Sequence, residues 1–215
     1  MTEELQIYDT QADGPDGQTH VMLDLETMGT GPDAAVVSIG AITFDPTGHK
    51  QKTRAQFYEA LHLETVVAGG GVMDPRTVLW WLRQGEQARK AITDPAYKFV
   101  GVKHALHDFS IYMQHLSRIG GRDNVFVWGN GSDFDNVILG RMFKRHGLNI
   151  PWLYRNNRCF RTLKAIGHSL GVEQPERKGT HHNALDDALH QAVWAENIFA
   201  CINALKTGQE GQGDI

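Results

Sequence analysis

Two carboxylates, Asp24 and Glu26, stand two positions apart in the segment 20–27, whose sequence is HVMLDLET. Successive side chains of a strand point to opposite faces, so both carboxylates lie on one face and apolar residues occupy the other. Adjacent like charges beside a core are unfavourable unless a cation lies between them. Hard divalent cations prefer oxygen ligands, so the segment predicts a Mg²⁺ or Mn²⁺ site. The alternative is an edge strand with a solvated polar face.

A further acid follows a second apolar segment. The run 125–128 (VFVW) is typical of a strand buried on both faces, and Phe134-Asp135 leads from it into a helix predicted over 136–146. Carboxylates just beyond the C-terminal end of a buried strand lie at the usual ligand-binding edge of an α/β sheet. Asp133 or Asp135 could instead cap the helix.

Two histidines and two acids precede the last predicted helix, which continues to about Leu205. His181 and His182 are adjacent, and so are Asp186 and Asp187. Adjacent helical positions are about 100° apart, so only one of the two acids can face a metal site. By count alone, His181 with Asp186 and His182 with Asp187 are equally compatible with such a site.

The elements that must position these residues predict one α/β domain. Short turns join predicted strands over 20–27, 36–44 and 53–63, which indicates an antiparallel meander. Asp74 and Pro75 are a helix cap and a first helical residue. Helices are predicted over 76–84, 104–119, 136–146 and 162–170, with a short strand at 159–160. Residues 1–18 are predicted to be a flexible tail, 19–205 the domain and 206–215 a C-terminal tail.

Composition points to an ordinary globular chain. The 215 residues are 41% hydrophobic and 21% charged, which suits a single core. No apolar run approaches the length of a membrane span, and the acidic N-terminus lacks a secretion signal. We therefore expect a cytoplasmic protein without a membrane partner. Cys159 and Cys201 form no metal-spaced cluster and are expected to be reduced and structural.

The net charge of −4 conceals a polarity along the chain. Residues 1–49 contain nine acids and no Lys or Arg, whereas 136–172 contain seven Lys or Arg and no acid. The asymmetry suits an acidic metal site beside a basic surface that meets phosphates. Arg141, Arg145 and Arg161 are candidates for that contact. A solvated basic face is the alternative for each.

Trp80 and Trp81 are adjacent on the helix predicted over 76–84. About 100° separates them, so both cannot face the same environment. One is expected in the core, and the other is a candidate platform on which a terminal base stacks. Ordinary partial burial is the alternative reading.

Three motifs, in this order, give the chain a resemblance to DnaQ-like, DEDDh-type 3′–5′ exonucleases of the ribonuclease H-like superfamily. They are Asp-x-Glu-Thr at 24–27, Phe-Asp at 134–135, and His, four residues, then Asp at 182–187. The resemblance covers roughly 19–205 and is greatest to phage-type exodeoxyribonucleases, with small bacterial exoribonucleases second. It favours His182 with Asp187 as the working pair. It implies an α/β, ribonuclease H-like fold, with a mixed central sheet flanked by helices.

The resemblance also implies an activity: metal-dependent hydrolysis of single-stranded nucleic acid from the 3′ end, releasing nucleoside 5′-monophosphates. DNA is the expected substrate, an RNA 3′ end is the alternative, and a non-catalytic nucleic-acid-binding protein is a weaker one. Two Mg²⁺ or Mn²⁺ ions are expected, and a homodimer is possible by analogy. The implied metal ligands are Asp24, Glu26, Asp135 and Asp187, the general base is His182, and the substrate contacts are Thr27, Trp80, Trp81, Phe134 and Arg161.

Overall fold

The computed structural model describes residues 17–48, 54–94, 96 and 98–210. Residues 1–16, most of the predicted N-terminal tail, and 211–215, half of the predicted C-terminal tail, lie outside the described residues. Within these residues, five strands and seven α-helices follow one another in the order β1 (Thr19–Thr27), β2 (Val36–Phe44), β3 (Gln56–Ala60), α1 (Leu63–Ala68), α2 (Pro75–Leu82), α3 (Glu86–Thr93), α4 (Val102–Gly120), β4 (Val125–Gly129), α5 (Asp135–Arg145), β5 (Asn157–Cys159), α6 (Phe160–Ser169) and α7 (Ala184–Glu210).

The five strands form one mixed sheet in the order β3-β2-β1-β4-β5. The strands β1, β2 and β3 pair antiparallel, whereas β4 pairs parallel to β1 and to β5. The predicted mixed sheet with an antiparallel meander is therefore confirmed. The strand β1 lies in the middle of the sheet, so the alternative of a solvated edge strand is wrong.

Helices cover both faces of the sheet, and the alternation in β1 determines which side chains each face receives. Val21, Leu23 and Leu25 join a core formed with α4, α5 and Trp81 of α2. Met22 joins a second core formed with α6 and α7. Since Asp24 and Glu26 share the face of Met22, the carboxylates point to the side on which α7 packs.

Several element bounds differ from the predicted ones. The third strand ends at Ala60, and the short helices α1 and α3, which were not predicted, follow. Neither helix begins with a side-chain cap, so each lacks the usual sequence signal of a helix start. The last helix continues to Glu210, beyond the predicted end at Leu205. Thr53, the predicted start of the third strand, lies outside the described residues.

Two further expectations concern membrane-spanning helices and the two cysteines. Over the described ranges, no helix combines the length and the apolar character needed to cross a membrane. Cys159 and Cys201 are both free, half-buried thiols.

Candidate active site

The parallel pairing of β1 with β4 brings the first two groups of acids together. Leu23 pairs with Gly129, so both strands reach the same edge of the sheet. Asp135 begins α5 just beyond this edge, and its Oδ1 accepts a hydrogen bond of 3.2 Å from the Leu25 amide. A Cβ on Gly129 would come within 3.0 Å of the Asp135 side chain. Glycine at this position therefore lets the acid approach the strand.

A second glycine brings in the last acid. Gly40 pairs with Asp24 across β1 and β2, and a Cβ on it would lie 2.2 Å from the carbonyl carbon of Ala184. The first turn of α7 can rest directly on the sheet only because that Cβ is absent. Asp187, one turn further, is then buried beside Asp24 and Glu26. One oxygen from each of these three acids lies within 4.8 Å of the others.

The cluster is electrostatically strained without a cation. Burial and the neighbouring carboxylates of Asp135, Glu26 and Asp187 hold the pKa of Asp24 well above its usual range. Burial, followed by the Asp187 carboxylate, raises the pKa of Glu26 to about 8. Burial raises the pKa of Asp135 to about 7, although backbone hydrogen bonds act in the opposite direction. Acids in such surroundings favour either protons or cations.

Buried oxygens at the site lack partners within the described part of the chain. Asp135 is 2% exposed, and its Oδ2 accepts no hydrogen bond. The Oε1 of Gln191 is also buried without a partner, while its Nε2 donates to Asp24 Oδ1 at 2.7 Å. The four carboxylates, one of which has a buried oxygen without a hydrogen-bond partner, match the preference of Mg²⁺ and Mn²⁺ for oxygen ligands. The residues present therefore fit the divalent ions that the motifs implied.

His182 lies beside this cluster in an unusual backbone conformation. It is the one non-glycine residue with positive φ, 65°, among those described. Its amide donates a hydrogen bond of 3.0 Å to Asp187 Oδ2, and its ring meets that of Trp80 edge to face at 4.8 Å. Burial and the neighbouring His181 lower the pKa of His182. The imidazole is therefore neutral at pH 7 and has a nitrogen lone pair available to accept a proton.

The two acids of the doublet face different ways. Asp186 accepts a hydrogen bond of 2.7 Å from the Thr180 amide and so holds the preceding loop. Asp187 pairs with Arg177 and contacts the acid cluster. This arrangement follows the roughly 100° separation of adjacent helical positions.

The two tryptophans are divided as the helical spacing indicated. Trp81 is buried, and its indole nitrogen donates to the Thr27 carbonyl at 2.9 Å. Trp80 is 41% exposed and lines a cavity of about 550 Å³. Glu26, Thr27 and Phe134 line the same cavity. The cavity is within the range of about 300–1,000 Å³ that is usual for ligand pockets.

The basic segment is less available than its composition suggested. Arg141 and Arg145 both pair with Asp33, at 2.6 and 2.7 Å, so part of each guanidinium is already engaged within the protein. The pairing with this acid from the N-terminal part of the chain was not expected, and contact of either arginine with a nucleic-acid backbone stays a prediction. Arg161 is exposed, donates to the Asn130 carbonyl at 2.8 Å, and acts against the raised pKa of Asp135.

Three residues of the site were missed in the sequence. Gln191 lies four positions after Asp187, so the helical repeat placed it on the same face. Gly40 interrupts a run of β-branched residues, which often marks a close backbone approach. Arg177 lies in the polar loop before α7, where no periodic pattern indicates which side chain turns inward.

The sheet and its flanking helices define the ribonuclease H-like class of domains. The chain belongs to the family described as the Rv2179c-like 3′–5′ exoribonuclease domain, whose model matches residues 19–199. This confirms the predicted resemblance to 3′–5′ exonucleases of the DnaQ-like type. No relative was found among curated protein sequences.

Solved structures of exonuclease I share the fold. The E. coli enzyme in complex with a dT13 oligonucleotide is 16% identical, with a TM-score of 0.58 over 89% of this chain and 43% of that chain. An apo exonuclease I is 17% identical, with a TM-score of 0.55 over 88% and 44%. The chain thus spans less than half the length of these structures.

Proposed function

We propose that the chain is a metal-dependent 3′–5′ exonuclease that shortens single-stranded nucleic acid and releases nucleoside 5′-monophosphates. One observation carries the proposal: Asp24, Glu26 and Asp187, separated by up to 163 positions in the sequence, offer ligand oxygens within 4.8 Å of one another. The family match over residues 19–199 supports the same reaction class.

Two divalent ions would be held by Asp24, Glu26, Asp135 and Asp187. When bound, such ions activate a water molecule and stabilise both the attacking and the leaving oxygen of a phosphodiester. Asp24 would be one of these ligands, and Asp135 would contribute its unpartnered Oδ2. Gln191 orients Asp24 through its 2.7 Å hydrogen bond.

His182 takes the proton of the attacking water. Its lowered pKa keeps the imidazole neutral at pH 7, as a general base requires. The hydrogen bond from its amide to Asp187 Oδ2 fixes the base relative to a metal ligand.

The terminal nucleotide would occupy the cavity lined by Thr27, Trp80 and Phe134. The exposed indole of Trp80 offers a stacking surface, and base stacking tolerates every sequence because every base has a π-face. Trp81 supports this wall through its hydrogen bond to Thr27. Arg161, exposed and close enough to Asp135 to act on its pKa, is a basic residue that could contact the phosphate backbone.

RNA is the first candidate substrate, because the matching family is described by exoribonuclease activity. DNA is the second, because the E. coli exonuclease I structure of the same fold contains a dT13 oligonucleotide. The two substrates differ at the 2′-hydroxyl, which a protein can contact directly.

Matched single-stranded RNA and DNA oligonucleotides, labelled at the 5′ end and incubated with Mg²⁺, test the proposal. We expect a ladder of fragments shortened from the 3′ end, faster for RNA, and no reaction when EDTA replaces Mg²⁺. An oligonucleotide whose 3′-terminal linkages are phosphorothioates is the control for polarity. Intact substrate in both arms, or shortening from the 5′ end, would overturn the proposal.

A further inference from the structure

His181 takes no part in the proposed hydrolysis, yet its ring lies against the general base. The side chain is exposed, and its ring centroid is 4.1 Å from that of His182. The two rings meet edge to face at 63°, so their nitrogens are not shielded by parallel stacking. Two histidines and a buried acid that lie together are potential metal ligands.

A second set of potential ligands shares one acid with the first. His181, His182 and Asp187 each offer a ligand atom, and these atoms lie within 4.8 Å of one another. The first set, Asp24, Glu26 and Asp187, consists of oxygens alone. The second contributes two imidazole nitrogens and one oxygen. Asp187 thus belongs to both sets of potential ligands.

The chemistry of the second set selects a different ion. Mg²⁺ favours oxygen ligands, whereas Zn²⁺ readily accepts imidazole nitrogen together with a carboxylate oxygen. Three protein ligands with an open fourth position are a common arrangement for Zn²⁺. We propose that His181, His182 and Asp187 form an inhibitory Zn²⁺ site.

The geometry requires a small movement of an exposed side chain. Ligand atoms about 2.0 Å from a tetrahedral Zn²⁺ lie about 3.3 Å apart, which is closer than the 4.8 Å that encloses the three atoms here. His181 is exposed and free to rotate toward the pair, whereas the amide of His182 is held on Asp187 Oδ2. Arg177, which pairs with Oδ1 of the same carboxylate, must yield or share that oxygen.

Occupation by Zn²⁺ removes the function of His182. The ion takes the nitrogen lone pair with which His182 accepts a proton, and it occupies an oxygen of Asp187. This consequence rests on the proposed exonuclease function, whereas the existence of the site does not. Mg²⁺ at Asp187 and Zn²⁺ at the histidine pair then compete for one carboxylate, so excess Mg²⁺ weakens the inhibition.

Direct binding tests the site without reference to activity. The full chain, freed of metal, is titrated with Zn²⁺ by calorimetry and with Co²⁺ while its visible absorption is recorded. His181→Gln should bind Zn²⁺ at least about tenfold more weakly than wild type, because even outer-shell changes cost that much affinity. His107→Gln, which removes an exposed histidine of α4, is the matched control and should bind as wild type does. Equal Zn²⁺ affinity in His181→Gln and wild type would overturn the proposal.

Inhibition is measured as the ratio of rates with and without buffered free Zn²⁺ at fixed Mg²⁺, so each protein is its own reference. Wild type and His107→Gln should lose about tenfold in rate at a Zn²⁺ concentration that leaves His181→Gln within about twofold. Equal inhibition of all three would overturn the proposal. Asp24→Asn, which lacks an oxygen ligand of the other set, should still bind Zn²⁺. If wild type degrades no oligonucleotide, the proposed function fails while the titration still decides the Zn²⁺ site.

Discussion

The strand β1 carries polar side chains on one face at both of its ends, and the two ends differ in how these groups are satisfied. At the start of the strand, His20 is buried, and its Nδ1 accepts a hydrogen bond of 3.0 Å from the indole of Trp128. Its ring also stacks on Phe126 at 5.0 Å. Burial, followed by the charge of Arg158, lowers the pKa of His20 to about 4. The polar side chain at this end of the strand is therefore uncharged at pH 7, and its partners are supplied by the protein itself.

At the other end of the same face, Asp24 and Glu26 have carboxylates as neighbours. Their pKa values are raised, because burial and like charges disfavour ionisation. One oxygen of the nearby Asp135 has no partner in the described part of the chain. Buried polar groups are usually satisfied by the protein itself, so an unsatisfied group points to a ligand. The comparison teaches that burial alone does not mark a site, whereas burial without a neutral partner does.

The largest effect is expected from removing one charge at the acidic end. Asp187→Asn should lower the rate of 3′ shortening by about 10³-fold, since it changes a proposed metal ligand that also accepts the hydrogen bond from the His182 amide. Asp186→Asn is the matched control, because its amide oxygen can still accept the hydrogen bond from Thr180. It should retain activity within about tenfold. Initial rates on a labelled oligonucleotide measure both, and the reverse order would place the metal site one residue earlier.

A smaller effect is expected at the neutral end, where His20 couples folding to pH. The pKa of this side chain is about 4 when folded and 6.5 when unfolded, so the unfolded chain binds more protons between these values. The contribution is complete above pH 6.5 and is lost as pH falls toward 4, by about 2 to 3 kcal/mol. The free energy of unfolding in urea at pH 7 and 4.5 measures the loss.

His20→Phe provides the comparison, because it cannot titrate and keeps an aromatic ring among Phe44, Phe126 and Trp128. Its stability should fall less than that of wild type between pH 7 and 4.5. The carboxylates with raised pKa values act in the opposite sense, since the folded metal-free protein binds more protons than the unfolded chain as pH falls below about 8. That term is common to both proteins and cancels. Equal losses in the two would contradict the assignment of His20.

The features that distinguish the two ends of β1 were only partly predictable from the sequence. Alternation along 20–27 predicted which side chains of β1 share a face, and hydrophobic patterning predicted the mixed sheet and most helices. The helices α1 and α3 were missed because they have only six and eight residues, too few for a clear helical periodicity, and no side-chain cap marks their starts. Pairing of Arg141 and Arg145 with Asp33 was not predictable, because it depends on a tertiary contact across more than 100 positions.

The adjacent tryptophans of α2 also differ in whether their partners come from the protein itself. Trp81 is buried with its indole nitrogen satisfied by Thr27, whereas Trp80 is partly exposed at the cavity. Trp80→Ala should raise KM by about tenfold with little change in Tm, because stacking of one base contributes about 1–3 kcal/mol. Leu82→Ala, at a position of the same helix that is 64% exposed, is the control and should leave KM unchanged. An equal effect of the two substitutions would exclude Trp80 as a platform.

The smallest effect is expected from replacing Arg177, the arginine that contacts the acid cluster. Arg177 pairs with Asp187 and acts against the raised pKa of Glu26. A divalent ion bound to Asp187 must displace or share this guanidinium, so Arg177 both stabilises the metal-free fold and competes with the ion. The pair is partly exposed, which limits its contribution to about 1 kcal/mol. Arg177→Gln should therefore lower the Tm of the metal-free protein slightly and tighten Mn²⁺ binding by about fivefold.

Calorimetric titration with Mn²⁺ measures this difference, with Lys178→Gln as the control that removes an equal charge from an exposed neighbouring position. If long-range charge alone governed metal affinity, the two variants would bind Mn²⁺ equally tightly, and the contact between Arg177 and Asp187 would be irrelevant. Weaker Mn²⁺ binding in Arg177→Gln would mean that the guanidinium supports the ion rather than replaces it. The acidic end of β1 would then resemble the His20 end, because its charges would already be balanced by the protein.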